Sequence, residues 1–243
     1  NATLGGIAAQ GVDILRYIRS TNTWAIAFDG SDHGLTKNVT AFALLDNGSL
    51  LLVFSANQII SGMGTATPYD VVKFTPNAPG SLPLGAGTFS PFFQGQLHEL
   101  TASAEKIDAI DYLAAGNRLL LSTSGAAKVT NSGGVLKAAD EDVFVFDRDT
   151  NTYESALLID GSKVTGLGSE DISGIWDDPN SGNYYITITG AFNLGGVKGN
   201  SGSIVKLSPN GGTTVYTPSL VDWWAPGTTL PKKTNLDGLE LGN

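Results

Sequence analysis

The chain has 243 residues with 31 glycines, 10 prolines and no cysteine, and 14 Lys and Arg stand against 23 Asp and Glu for a formal net charge of −9. The missing cysteines remove disulfides, thiolate metal sites and cysteine nucleophiles. The acidic balance, with no basic cluster beyond Lys232-Lys233, argues against a nucleic-acid partner, and no apolar run is long enough for a membrane span.

In chain order, residues 2–8, 12–18 and 23–28 read as strands, being short β-rich runs bounded by turn residues. A first unit follows, with strands at 39–45, 49–55, 70–74 and 87–93, a long loop at 56–69 and another at 75–86. A second has strands at 107–113, 118–122, 142–147 and 152–159 around a long loop at 125–141. A third has strands at 172–176, 184–189, 202–207 and 213–217 around a loop at 190–201, and residues 236–241 read as one more first strand. No segment carries an amphipathic helical period.

These units repeat. Asn38-Val39-Thr40-Ala41-Phe42, Lys106-Ile107-Asp108-Ala109-Ile110, Asp171-Ile172-Ser173-Gly174-Ile175 and Asn235-Leu236-Asp237-Gly238-Leu239 align, with the second residue of each spaced by 68, 65 and 64 positions. A fixed period of this size signals a repeat architecture, and four strands per unit is the count of a propeller blade. The expectation is a single all-β domain over 1–243, a β-propeller of four blades of four antiparallel strands. The last blade is completed by pairing 236–241 with the N-terminal strands, which leaves no open edge. A five-bladed or irregular ring and a β-sandwich are the alternatives.

Several phrases carry a resemblance. Phe28-Asp29-Gly30-Ser31-Asp32-His33-Gly34-Leu35 fits an FDGSDxGL pattern, Ala139-Asp140-Glu141-Asp142-Val143 a DEDV pattern, and Leu50-Leu51-Leu52-Val53-Phe54-Ser55 a GxLLLSF pattern. Weaker echoes lie at Phe93-Gln94-Gly95-Gln96, Ile159-Asp160-Gly161-Ser162 and Val221-Asp222. The chain thus resembles repetitive β-propeller-like regions of large secreted or surface bacterial proteins. The resemblance implies fold and export, hence an extracellular or cell-surface location; the low charge and polar loops agree. Asn1 is not a translation start, so the chain reads as processed or as part of a longer protein.

In an up-and-down blade the first strand lines the channel. The loops between second and third strands, and those leaving the fourth, share one face, the top. Thr40, Asp108, Ser173 and Asp237 then fall together at the channel mouth. Two carboxylates and two hydroxyls there suit Ca²⁺, with Asp108 and Asp237 as metal ligands; the plainer reading is strand-end capping and channel water, with no cofactor. His33 and His98 align in the loops leaving fourth strands, a top-face binding candidate or two solvated side chains. Trp223 and Trp224 are candidates for stacking on a sugar or a protein surface, or pack between blades.

No nucleophile, base and orienting group can be placed in one site, and no G-x-S-x-G elbow is present. The sequence therefore leans away from an enzyme and assigns no catalytic residue. It reads as a binding, adhesion or structural module acting through long top-face loops on a protein or glycan partner. A carbohydrate-binding lectin and a propeller-type metal-dependent hydrolase are the alternatives.

Overall fold

Leu50-Leu51-Leu52-Val53-Phe54 is buried at every position. A strand with one wet face would alternate, so this strand has neighbours on both sides. Leu50, Leu52 and Phe54 pack one way, with Phe28 and Val12, whereas Leu51 and Val53 pack the other way, with Leu119 and Phe144. Leu119, Leu120 and Leu121 are split in the same manner. The apolar cores of the molecule are therefore junctions between successive sheets.

The computed structural model describes residues 2–210 and 216–221. Three antiparallel meanders follow one another. The first unit is β5 (Val39–Leu44), β6 (Leu50–Phe54), β9 (Asp70–Pro76) and β10 (Gly87–Gln94). The second is β11 (Ile107–Leu113), β12 (Arg118–Thr123), β15 (Phe144–Asp147) and β16 (Thr152–Tyr153), and the third is β17 (Ile172–Asp177), β18 (Tyr184–Ile188), β21 (Ile204–Pro209) and β22 (Tyr216–Val221). Ahead of them β3 (Ile14–Ile18) pairs with β4 (Thr23–Phe28) as the third and fourth strands of an N-terminal unit. First strands β5, β11 and β17 pack against one another, so the meanders fan around a common centre in a propeller-like order. The described part is all-β, with short 3-10 turns and no α-helix.

The loops expected between second and third strands are instead β-hairpins. Residues 56–69 contain β7 (Gln58–Ile60) and β8 (Gly64–Ala66), residues 125–141 contain β13 (Ala127–Asn131) and β14 (Gly134–Ala138), and residues 190–201 contain β19 (Phe192–Leu194) and β20 (Val197–Gly199). The N-terminal reading needs the same correction. Residues 2–8 are not one second strand but another hairpin, β1 (Ala2–Leu4) with β2 (Ile7–Ala9), placed where the other units carry theirs. Two of the four hairpins turn on adjacent glycines, Gly5-Gly6 and Gly195-Gly196, all with positive φ. Only glycine takes that geometry freely, and its twist suits a two-residue hairpin turn.

The fourth strand expected at 152–159 is short: β16 ends at Tyr153 and a single bridge joins Val143 to Ile159. The β13–β14 hairpin fills that edge through Asn131 and Tyr153, so the second sheet has six strands. On the opposite face, loop 75–86 leans back on the N-terminal unit, where Leu84 is buried and its N–H donates to Ala27 O at 2.8 Å. The strand expected at 236–241, and the closure it would make, lie outside the described residues.

Candidate functional site

Three of the turns that follow a fourth strand are each clasped by one carboxylate. Asp13 accepts Gln10 N–H at 2.7 Å on Oδ2 and Gly30 N–H at 3.1 Å on Oδ1. Asp70 takes Thr67 N–H at 2.8 Å and Gly95 N–H at 3.1 Å on the same two oxygens. Asp142 takes Ala139 N–H and Gly161 N–H, both at 2.8 Å. The glycines are required by contact: a Cβ would stand 2.2 Å from Val12 O at Gly30, 2.1 Å from Tyr69 O at Gly95 and 2.5 Å from Glu141 O at Gly161. The third unit keeps half of the clasp, with Ser203 Oγ accepting Asn200 N–H at 3.1 Å. Burial, little relieved by its two donors, raises the Asp142 carboxyl above the usual range.

The same turns hand the chain to the next unit. Val39 N–H donates to Gly11 O, Ile107 N–H to Pro68 O and Ile172 N–H to Asp140 O, at 2.8, 3.1 and 3.0 Å. The acidic phrase 139–143 thus belongs to a junction: Asp140 supplies a carbonyl and Asp142 a clasp.

The structure places His33 and His98 at equivalent points of two junctions. His33 stacks on Phe28 with centroids 4.8 Å apart and lies 4.7 Å from Phe74 of the next unit. His98 stacks on Phe93 at 5.1 Å and lies 4.4 Å from Phe146 of the next unit. Both are half-buried wedges rather than free loop side chains, and burial lowers the His98 imidazole from its ordinary value. At the third junction the residue five beyond Ile159 is Val164, fully buried in a cluster with Leu207 and Tyr216.

At the axis, each first strand carries a β-bulge at the predicted position. The register shifts between Val39 and Ala41, Ile107 and Ala109, and Ile172 and Gly174, leaving Thr40, Asp108 and Ser173 as the unpaired residues. A bulge re-aims the extra side chain. Ser173 is buried, with its Oγ 3.3 Å from Thr187 Oγ1. Asp171, two residues earlier, brings its carboxyl into hydrogen-bonding reach of Asp108. Burial first, and then the Asp171 charge, hold the Asp108 carboxyl well above the usual range; burial raises Asp171 too. The sequence reading missed Asp171 because it stands outside the strand. Asp237, Trp223 and Trp224 lie outside the described residues. Among the described residues no three His, Cys, Asp or Glu side chains form a metal-ligand cluster.

The top face has its own character. Among the described residues the three most exposed large apolar side chains are Ile59 at 76%, Leu97 at 74% and Val135 at 55%. Ile59 and Val135 ride on the β7–β8 and β13–β14 hairpins, and Leu97 on the turn leaving β10. The hairpins are braced from below. Gln58 Oε1 accepts Thr36 N–H and Lys37 N–H, both at 2.9 Å. Glu99 accepts Thr130 N–H at 2.7 Å and Glu105 accepts Lys128 N–H at 3.3 Å.

No family model and no curated relative matches the sequence. Solved structures with some likeness include YCF48 bound to a D1 peptide, at 12% identity, TM-score 0.38, over 86% of this chain and 47% of that one, so this chain spans about half its length. A protein from Lactobacillus plantarum gives 12% identity and TM-score 0.37 over 90% and 80% of the two chains. The Cps50 (Swd1) β-propeller domain of Myceliophteria thermophila gives 10% and 0.33 over 88% and 71%. Strand order and the apolar junctions between sheets define the propeller-like order of the described residues.

Proposed function

We propose that the chain is a four-bladed β-propeller module that binds a protein partner through its hairpin-bearing top face, without catalysis, at the cell surface or outside the cell. β3 and β4 are the third and fourth strands of that fourth blade. The observation that carries the binding reading is that the three most exposed large apolar side chains among the described residues, Ile59, Leu97 and Val135, all lie on the hairpins and turn at the end where second strands pass to third and fourth strands leave. Large apolar side chains held out at one end of a sheet assembly cost solubility and are useful to a partner. The low charge of the chain, its polar loops and the bacterial surface-protein resemblance support the location.

Panning the full chain against a displayed peptide library, alongside a glycan array, tests the reading. Peptide binders should lose about tenfold or more in affinity on Ile59→Asp or Leu97→Asp, because central apolar anchors dominate such interfaces. Melting should not change. Binding confined to the glycan array would replace the protein partner with a sugar. Turnover of ester, phosphate or glycoside substrates would overturn the non-enzymatic reading.

A further inference from the structure

We propose that the top of the propeller axis is a Ca²⁺ site, held by the carboxylates of Asp108 and Asp171 with the Thr40 hydroxyl contributing from the neighbouring unit. The starting observation is a set of sealed, partnerless oxygens. Thr40 Oγ1, Asp108 Oδ1 and Asp171 Oδ1 are all shut off from solvent and none has a hydrogen-bond donor. Buried polar atoms in folded proteins are satisfied in more than about nine cases in ten. Here three that are not belong to the entries of three first strands packed on one another around the axis.

The bulges put Thr40 and Asp108 at matching places: each is the unpaired residue of its bulge, in β5 and β11, and those two first strands pack against each other. Ser173, at the matching place in β17, is already engaged by Thr187, and Asp171 just before that strand takes its role. Thr40 is an independent witness, since a hydroxyl has no charge to repel and could have turned toward a donor.

The two carboxyls face each other without a counter-charge. The groups that act on Asp108 and Asp171 are each other, Asp140, the Asp108 N–H on its own carboxyl and, for Asp171, Thr189; no lysine or arginine is among them. Two touching carboxylates, one of them deeply buried, resist ionising together, and a proton or a cation between them relieves the repulsion. The donor set of hard oxygens selects an alkaline-earth cation over a transition metal. Ca²⁺ is favoured over Mg²⁺ because it accepts irregular oxygen shells completed by water, whereas Mg²⁺ demands near-octahedral geometry. The inference does not depend on the proposed partner binding, since it concerns the axis and not the hairpins.

The test uses the full chain, stripped with chelator and titrated with CaCl2 or MgCl2 at neutral pH, read by thermal melting and isothermal titration calorimetry. Ca²⁺ should bind once per chain and raise the melting temperature by roughly 5 °C near saturation, as a ligand specific to the native state does. MgCl2 should do less. Asp108→Asn with Asp171→Asn should abolish the response and melt higher than the metal-free wild type, because amides neither repel nor need a cation. Thr40→Val, which removes no charge, should weaken binding and serves if the double variant does not fold. No calcium response in the wild type would mean that a shared proton alone fills the site. A response that survives in the double variant or is unchanged in Thr40→Val would place the ion elsewhere. Either result overturns the proposal.

Discussion

Two of the described junctions are wedged by an imidazole and the third by an isopropyl group. His33 and His98 sit between aromatic rings of adjacent units, and Val164 takes the same place among Ile159, Leu207 and Tyr216. The backbone around them hardly differs: a glycine five residues or fewer before, a clasping aspartate, and a strand N–H handed to the previous unit. The comparison teaches that the repeat conserves a turn and not a chemistry. The wedge must be flat or branched and must fill the gap; it need not be a particular residue.

The common turn is the place for the largest effect. Gly95→Ala puts a Cβ where Tyr69 O now stands at 2.1 Å, with the backbone on both sides fixed by hydrogen bonds. A loss of about 3 kcal/mol or more is expected, as for other overpacked or strained positions. Gly161→Ala, 2.5 Å from Glu141 O, should match it. Chemical denaturation measures both, and a mild effect at either would show that the turns are not equivalent.

Replacing the wedges comes next. His98→Ala and Val164→Ala each leave a gap between units. The cost should be about 2 to 4 kcal/mol for the histidine and about 1 to 3 for the smaller valine, through lost contacts and residual cavity. If His98→Ala were neutral, the stacking on Phe93 and Phe146 would contribute nothing to the junction. Asp142→Asn should cost less, about 1 to 2 kcal/mol, since the amide still accepts one N–H but no longer offers a charged partner to two. Asp13→Asn and Asp70→Asn should agree with it in sign, whereas Ser203→Ala should cost less, having a single bond to lose.

How much of this was legible follows from the same residues. Strands β11, β6 and β4 stand within a residue or two of where alternation and turn residues put them, and in β6 packing on both faces leaves an unmistakable apolar run. The hairpins were passed over as loops. Six of the eight hairpin strands have only three residues and give no alternation to read, whereas β13 and β14 have five each; Leu4-Gly5-Gly6-Ile7 and Leu194-Gly195-Gly196-Val197 are two copies of a hairpin turn, and that signal was present. The acidic and glycine phrases were visible as separate motifs. That they are two halves of one clasp was not, because the clasped pairs are 17, 25 and 19 residues apart. A repeat aligned on one strand fixes the bulge positions but says nothing of which neighbour turns inward. The spacing therefore reaches Ser173 but not Asp171, two residues earlier, whose carboxyl meets Asp108.

The smallest expected effect separates the two kinds of junction most sharply. Burial lowers the His98 imidazole below its ordinary value of 6.5, so the folded chain binds this proton less readily than the unfolded one. The contribution is fully present above about pH 6.5 and is lost as pH falls from there toward the lower folded value. The effect is modest because the ring is still partly exposed and screened. Buried carboxyls work in the opposite sense: Asp108, Asp142 and Asp171 are raised, so their protonated folded forms become costly as pH rises. A bare pH profile would mix the two, and the difference between variants does not. His98→Val copies the third junction into the second. Relative to this variant, the wild type should lose melting temperature on moving from pH 8 to pH 5, while Val164→Ala should shift the profile down by the same amount at both. A constant gap between wild type and His98→Val would mean that the wedge is not desolvated. The two junctions would then differ in shape alone.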